Sequence, residues 1–102
     1  MNISLDYDNT YTRDPQMWDI IISIMKRHGH SVYVVTMRYP SEGAEVEKYL
    51  AHQVDRIIYT SRKGKMDYLQ QQMVSIDIWV DDIPYFILHD ANPATWRTIP
   101  FE

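Results

Sequence analysis

Short apolar runs alternate with longer amphipathic stretches along most of the chain. Four of these runs predict β-strands, which we place at Asn2–Asp6, Ser31–Thr36, Arg56–Tyr59 and Ile76–Val80. A fifth apolar run, Tyr85–Leu88, predicts one more short strand. Runs of four to eight apolar and β-branched residues are typical of strands buried in a sheet.

The stretches between these strands have helical spacing. Asp14 followed by Pro15 predicts a helix start, and Gly29 predicts the end of that helix. Its apolar stripe consists of Trp18, Ile21, Ile22 and Met25. A second helix is expected from about Ser41 through Leu50.

A third helix is predicted over Lys65–Met73, with its apolar residues on one face, and a helical turn over Ala91–Trp96. Strands that alternate with helices indicate βαβ units and a parallel sheet. We therefore expect an α/β fold: a three-layer, Rossmann-like parallel sheet of four to five strands with flanking helices. The length of 102 residues favours a single domain over residues 1–102.

Polar side chains follow several of these strands at the point where each strand ends. Asp6 and Asp8 lie at the end of the first strand, Thr36 ends the second, and Asp81 and Asp82 follow the fourth. Ligands of open parallel sheets bind outside the carboxyl ends of the strands. These residues are therefore expected to meet at one edge of the sheet.

The residue types at this edge point to phosphate chemistry. Oxygen ligands without cysteine or a placed histidine favour a hard cation such as Mg²⁺. Lys65 starts a helix and Thr36 supplies a hydroxyl, so both could bind a phosphate. Carboxylates, a divalent cation, a lysine and a hydroxyl together are typical of phosphoryl transfer, in which an aspartate can attack phosphorus.

Four motifs between about residues 2 and 90 resemble, in order, those of the haloacid dehalogenase (HAD) superfamily of aspartate-nucleophile phosphatases. The motifs are Leu5-Asp6-Tyr7-Asp8-Asn9-Thr10, Val34-Val35-Thr36, Arg62-Lys63-Gly64-Lys65 and Trp79-Val80-Asp81-Asp82. The aspartate pair and Thr36-Met37-Arg38 look closest to the nucleotidase and polynucleotide 3′-phosphatase branches.

The resemblance implies a division of labour among the acidic residues. Asp6 would be the nucleophile, and Asp8 the general acid/base that protonates the leaving oxygen and then activates water. Mg²⁺ would be held by Asp6, by the backbone carbonyl of Asp8 and by one of Asp81 and Asp82. We favour Asp82 as the direct ligand and expect Asp81 beside it.

The resemblance also implies where the substrate lies. Thr36 and one lysine would hold the transferred phosphate. Lys65 is our first choice because it opens a helix, and Lys63 is the alternative. Further substrate contacts are expected at Thr10, Met37 and Arg38.

The chain has no room for a cap domain between Thr10 and Pro15 or between Thr36 and Arg56. We therefore expect an open site and a phosphate-ester substrate as large as a nucleotide or a nucleic-acid 3′-phosphate. An alternative is a non-catalytic module of the same fold that uses the acidic crevice to bind Mg²⁺ or a protein partner. A second subunit that completes the site is a further variant, and the sequence leaves the oligomeric state open.

Composition sets wider limits on function. A formal charge of −4 argues against a general polyanion-binding surface. The absence of cysteine excludes disulfides and thiolate metal sites. The longest apolar run is shorter than a membrane span, and no signal peptide is recognised at the N-terminus. We expect a cytoplasmic protein without a membrane partner.

Overall fold

The computed structural model describes residues 1–92. The strands are β1 Asn2–Leu5, β2 Ser31–Thr36, β3 Arg56–Tyr59 and β4 Ile78–Val80. The helices are α1 Pro15–Arg27, α2 Ala44–Leu50, α3 Lys65–Gln71 and α4 Tyr85–Leu88. Two 3-10 turns, Tyr11–Arg13 and Pro40–Glu42, follow β1 and β2.

All strand pairs in the sheet are parallel, and the strand order is β3-β2-β1-β4. In register, Leu5 of β1 lies beside Val34 of β2 and Val80 of β4. β1 is therefore a central strand, and its carboxyl end is flanked by the ends of β2 and β4. This arrangement confirms the α/β class and the parallel sheet.

Helices cover both faces of the sheet and give the three layers that were expected. One core contains Leu5, Val34 and Val80 of the strands, together with Ile22 of α1 and Val46 of α2. The other core joins side chains that point the opposite way, namely Val35, Ile58 and Leu69 of α3 with Trp79 packed against them. Successive strand residues alternate between the two cores, as the pleat of a strand requires.

The first helix has the ends that the sequence predicts. The Asp14 carboxylate accepts a hydrogen bond from the Met17 backbone N–H at 3.2 Å, and Pro15 is the first helical residue. Gly29 has a φ of +84°, which a residue without Cβ adopts readily. No helix in residues 1–92 is long and apolar enough to cross a membrane.

The prediction of a fifth strand at Tyr85–Leu88 is wrong, because this segment is α4. A four-residue apolar run does not distinguish strand from helix by its period. Pro84 before it has a helical φ of −57°, which favours a helix start. Within α4 and its cap, the Tyr85 ring stacks on His89 four residues later at 4.2 Å, while Phe86 is buried.

Several element bounds also differ from the prediction: β1 ends at Leu5 and not at Asp6, and α2 begins at Ala44, after the 3-10 turn Pro40–Glu42, and not near Ser41. α3 ends at Gln71, and Met73 has a φ of +59° and is 94% exposed, so it does not belong to the apolar face. β4 begins at Ile78 and not at Ile76. Of the helical turn predicted over Ala91–Trp96, residues 91–92 are not helical and residues 93–96 lie outside the described part of the chain.

Candidate functional site

The turn after β1 brings Asp6 to the carboxyl edge of the sheet. The Asp6 backbone N–H donates to the Val80 carbonyl at 3.0 Å, which extends the β1–β4 pairing by one residue. The Asp6 carbonyl in turn accepts from the Tyr11 backbone N–H at 3.3 Å. Asn9 at the tip of the turn has a φ of +61°, a conformation that asparagine tolerates better than most residues.

Lys65, the first residue of α3, is buried and points its ammonium group into this edge. Its Nζ donates to Asp6 Oδ1 at 2.8 Å and also to Asp81 Oδ2. The lysine side chain is only 3% exposed. Burial opposes the charge on Lys65, but the carboxylates of Asp6 and Asp81 outweigh it and raise the pKa of the lysine. Lys65 is therefore a fixed positive charge between two acids.

Thr10 connects Asp6 to the exposed carboxylate of Asp82. The Thr10 hydroxyl lies 3.1 Å from Asp6 Oδ2 and 3.2 Å from Asp82 Oδ1, and its single proton can be donated to one of them at a time. Asp81 is held separately, since its Oδ1 accepts from the Ile83 backbone N–H at 3.0 Å. Thr10, expected as a substrate contact, thus lies between two of the acids.

Burial raises the pKa of Asp6 to about 8, although the ammonium of Lys65 acts against this shift. The neighbouring Asp81 carboxylate adds to the rise. With all three acids ionised, one lysine leaves the group of Asp6, Asp81 and Asp82 with two uncompensated negative charges. Such a group is stable only if it takes up protons or binds a cation.

The residues present fit a hard divalent cation. One oxygen from each of Asp6, Asp81 and Asp82 lies within 4.8 Å of the others, and the excess charge of the group equals that of Mg²⁺. Carboxylate oxygens are the ligands that Mg²⁺ takes in proteins. The Asp8 carboxylate does not belong to this group, whereas the metal contact expected of Asp8 is made by its backbone carbonyl and stays a prediction.

The carboxylate of Asp8 instead forms a bidentate salt bridge with Arg38. Arg38 Nη2 lies 2.7 Å from Asp8 Oδ1, and Arg38 Nε lies 3.0 Å from Asp8 Oδ2. The two side chains are 6% and 11% exposed. The hydrogen bonds to Asp8 raise the pKa of Arg38, so the guanidinium stays charged.

The surroundings of Arg38 hold it in place. Its Nη1 donates to the Glu42 carbonyl at 2.8 Å, and its guanidinium carbon lies 5.0 Å from the centre of the Tyr7 ring. Glu42 itself accepts from Arg62 at 3.0 and 3.1 Å, which lowers the pKa of Glu42. Arg62 and Ser61 both have positive φ, at 71° and 54°. The loop after β3 thus carries backbone strain beside the site.

Three further candidates lie at this edge in different situations. Thr36 is buried at the end of β2, and its Oγ1 accepts from the Arg38 backbone N–H at 3.2 Å. Met37 is buried as well, with its carbonyl bonded to Arg62, and offers little side-chain surface to a ligand. Lys63 lies outside the acidic group, 66% exposed and 3.9 Å from Asp90. Of the two lysines, the fold brings Lys65 to the carboxylates.

Sequence reasoning missed Glu45, which is the hydrogen-bond partner of Tyr7. The Tyr7 hydroxyl donates to Glu45 Oε1 at 2.6 Å, which ties the turn after β1 to α2. Tyr7 also stacks on Tyr11 at 5.8 Å and is fully buried. The spacing of 38 residues between Tyr7 and Glu45 carries no sequence signal, so only the fold could have paired them.

Comparison of the chain with protein-family models, with curated proteins and with solved structures finds no significant match.

Proposed function

We propose that this protein is a Mg²⁺-dependent phosphohydrolase that cleaves phosphate monoesters through an aspartyl-phosphate on Asp6. The observation that carries the proposal is the buried Lys65 ammonium, 2.8 Å from Asp6 within a group of three carboxylates at the carboxyl edge of the sheet. Two acids beside the Lys65–Asp6 pair, Asp81 and Asp82, are more than a structural ion pair requires, and a site for a cation and a phosphate would use them.

In this proposal an Asp6 oxygen attacks phosphorus while the bond from phosphorus to the leaving oxygen breaks. The leaving oxygen takes up one proton and departs as an alcohol. Water then attacks the phosphorus of the acyl phosphate, which releases inorganic phosphate and regenerates the Asp6 carboxylate. Mg²⁺, held by Asp6 and Asp82 with Asp81 beside them, supplies positive charge against the phosphate oxygens when it is bound.

Lys65 has two tasks in this chemistry. Its contact with Asp6 Oδ1 orients the nucleophile, so that the other oxygen, Oδ2, faces Thr10 and the open side of the site. Its charge also offsets the negative charge that spreads over the transferred oxygens. Because the ammonium is buried, water screens it only weakly.

Asp8 is the proposed general acid/base, and its pairing with Arg38 limits when it acts. A carboxylate in a bidentate salt bridge is ionised and can accept a proton from water, but it has no proton for the leaving oxygen. A phosphate group is itself a bidentate partner for arginine. We infer that the incoming phosphate competes with Asp8 for Arg38, which frees the Asp8 carboxyl group to exchange a proton with the leaving oxygen and then with water.

The substrate is proposed to be a nucleotide or a nucleic-acid 3′-phosphate. Within residues 1–92, the connections at this edge are residues 6–14 after β1, 37–43 after β2, 60–64 after β3 and 81–84 after β4, so none of them contains an inserted domain that covers the site. An uncovered site admits large esters. Of these two substrates, the net charge of −4 favours the nucleotide, because a nucleic acid is a polyanion.

Phosphate release from a panel of monoesters with Mg²⁺, followed colorimetrically, tests the proposal. We expect turnover by the wild type, loss of at least about a thousandfold in Asp6→Asn because the nucleophile is removed, and no loss in Asp67→Asn, an exposed aspartate of α3. Chelation of the metal should abolish turnover reversibly. Equal rates for wild type and Asp6→Asn on every ester would refute an aspartyl-phosphate mechanism.

The second candidate is a non-catalytic module that binds Mg²⁺ or a partner's basic group in the same crevice. The salt bridge between Asp8 and Arg38 favours it, because it engages the carboxylate that catalysis requires. This candidate predicts calorimetric Mg²⁺ binding by the wild type, with no turnover and with a partner-dependent effect that survives Asp6→Asn. The mass in solution, measured by light scattering, would show whether a second subunit completes the site.

A further inference from the structure

Arg62, in the loop after β3, holds the loop after β2 with its backbone and its side chain together. Its backbone N–H and its Nη1 both donate to the Met37 carbonyl, at 3.0 and 2.8 Å. Its Nη1 and Nη2 also donate to the two carboxylate oxygens of Glu42, at 3.0 and 3.1 Å. Its guanidinium carbon lies 4.8 Å from the centre of the Tyr39 ring. One side chain thus contacts the beginning, the middle and the end of residues 37–42.

Glu42 connects Arg62 to Arg38. The Glu42 carboxylate, which Arg62 holds, also accepts from the Tyr39 backbone N–H at 2.8 Å. These bonds fix Glu42 at the end of the 3-10 turn Pro40–Glu42. The Glu42 carbonyl in turn accepts from Arg38 Nη1 at 2.8 Å. The place of this carbonyl, and with it the place of the Arg38 guanidinium, therefore depends on the contact between Glu42 and Arg62.

The guanidinium of Arg38 presents a different edge to Asp8. Nε and Nη2 form the bidentate pair with Asp8, whereas Nη1 is bound to the Glu42 carbonyl and the face of the group lies against the buried Tyr7 ring. A backbone carbonyl and a buried ring have less freedom than a carboxylate at the end of a rotatable side chain. If a phosphate competes for Arg38, the Asp8 carboxylate moves and the guanidinium stays in place.

The backbone of the loop after β3 is strained where it carries Arg62. Ser61 and Arg62 have φ values of 54° and 71°, which residues other than glycine rarely adopt. Such strain persists only where surrounding contacts hold it, and it is concentrated at functional sites. The contacts here are those of Arg62 with residues 37–42 and the hydrogen bond of 3.3 Å from the Ser61 N–H to the Arg38 carbonyl. The strained loop therefore serves to place the Arg62 side chain against the loop of Arg38.

We propose that Arg62 is a positioning residue that, through Glu42, holds the Arg38 guanidinium beside Asp8 in the place where it receives the substrate phosphate. The planar guanidinium of Arg62 reaches the Met37 carbonyl and both carboxylate oxygens of Glu42 at once, which the compact ammonium of a lysine cannot do. This assignment rests on the proposed function, because it takes Arg38 to bind the phosphate of the ester.

Hydrogen exchange of the Arg38 Nε–H, measured by NMR on the isotope-labelled full chain without substrate, tests the hold on Arg38. The signal is assigned by its loss in Arg38→Met. We expect Arg62→Met to speed this exchange about tenfold or more, the effect of losing one hydrogen bond to a charged group. The backbone N–H of the buried Leu5 should exchange as in the wild type. The matched control is Arg56→Met, an exposed arginine at the start of β3, which should change neither rate.

A conservative variant distinguishes positioning from charge. Arg62→Lys keeps the positive charge but loses the planar pair of donors, so we expect it to reverse less than half of the acceleration seen in Arg62→Met. Full reversal by lysine would show that charge alone is needed, and it would overturn the proposal. Equal acceleration at Arg38 and Leu5 would show a general loss of stability, and it would overturn the proposal as well.

Turnover separates this inference from the catalytic proposal. If the wild type hydrolyses phosphate esters, kcat/KM should fall about tenfold in Arg62→Met, because Arg38 is no longer held in place for the phosphate. Arg56→Met should keep the wild-type value. Faster Arg38 exchange in Arg62→Met without any turnover by the wild type would support the hold on Arg38 and refute the catalytic proposal. Turnover combined with unchanged Arg38 exchange, or with unchanged kcat/KM, in Arg62→Met would overturn the positioning role.

Discussion

Replacing Lys65 by methionine tests the central electrostatic arrangement of the site. Methionine keeps most of the apolar length of lysine but removes the ammonium from between Asp6 and Asp81. The lysine side chain is 3% exposed and the carboxylates are 10% and 5% exposed, so water cannot replace the lost charge. Removing one partner from a buried ion pair lowers the free energy of unfolding by about 3–5 kcal/mol. For a domain of this size, the loss corresponds to a fall in Tm of about 12 °C or more.

The matched control is Lys63→Met in the preceding loop. Lys63 is 66% exposed and lies 3.9 Å from Asp90, which is 60% exposed, so we expect a loss below about 1 kcal/mol. Urea denaturation in metal-free buffer at about pH 9, above the pKa of about 8 that Asp6 has in the folded protein, measures both variants. If Lys65→Met is no less stable than Lys63→Met, the ammonium is not the group that balances the buried acids.

A double variant separates the loss of charge from the loss of packing. Adding Asp81→Asn to Lys65→Met removes one of the two carboxylates left without a partner. If electrostatics is the cause, the double variant should be more stable than Lys65→Met alone by at least about 1 kcal/mol, since groups in direct contact are coupled. A double variant that is less stable than Lys65→Met would show that lost packing, and not lost charge, causes the effect.

Three further predictions concern the same edge of the sheet and α1. In metal-free buffer the free energy of unfolding should fall as pH rises from about 4 to about 8, because folded Asp6 keeps its proton up to about 8 and the unfolded residue loses it near 3.8. Urea denaturation across this range should show a weaker dependence of the unfolding free energy on pH for Asp6→Asn than for the wild type. An equal dependence in the two proteins would contradict the raised pKa of Asp6. Arg38→Met should lower the free energy of unfolding by about 3 kcal/mol, because it leaves the largely buried Asp8 carboxylate without its arginine. Adding Asp8→Asn should recover part of this loss. Urea denaturation measures both variants, and a neutral Arg38→Met would refute the prediction. Asp14→Ala should cost about 1 kcal/mol through loss of the helix cap, seen as a lower Tm.

The sequence determined most of the fold, because the hydrophobic pattern of most strands and helices agrees with the way in which they pack. β2 and β3 begin and end where the sequence placed them, since β-branched residues pack well on the pleated surface of a buried strand and favour it over a helix. The start of α1 was predictable because a cap acts within four residues. The segment Tyr85–Leu88 was not, because four apolar residues after a proline fit either period and the decision depends on burying Phe86 beside α3.

In the candidate site, too, the sequence determined one part and the tertiary structure decided the rest. Parallel strands share the direction of their carboxyl ends, so the sequence alone brought Asp6, Asp81 and Asp82 to one edge. Whether each side chain is buried or paired depends on residues far apart in the chain. Thus the sequence favoured Lys65 over Lys63, but only the tertiary structure placed its ammonium between the carboxylates and turned Asp8 towards Arg38. Contacts between atoms a few ångströms apart leave no periodic trace in a sequence, whereas strands and helices do.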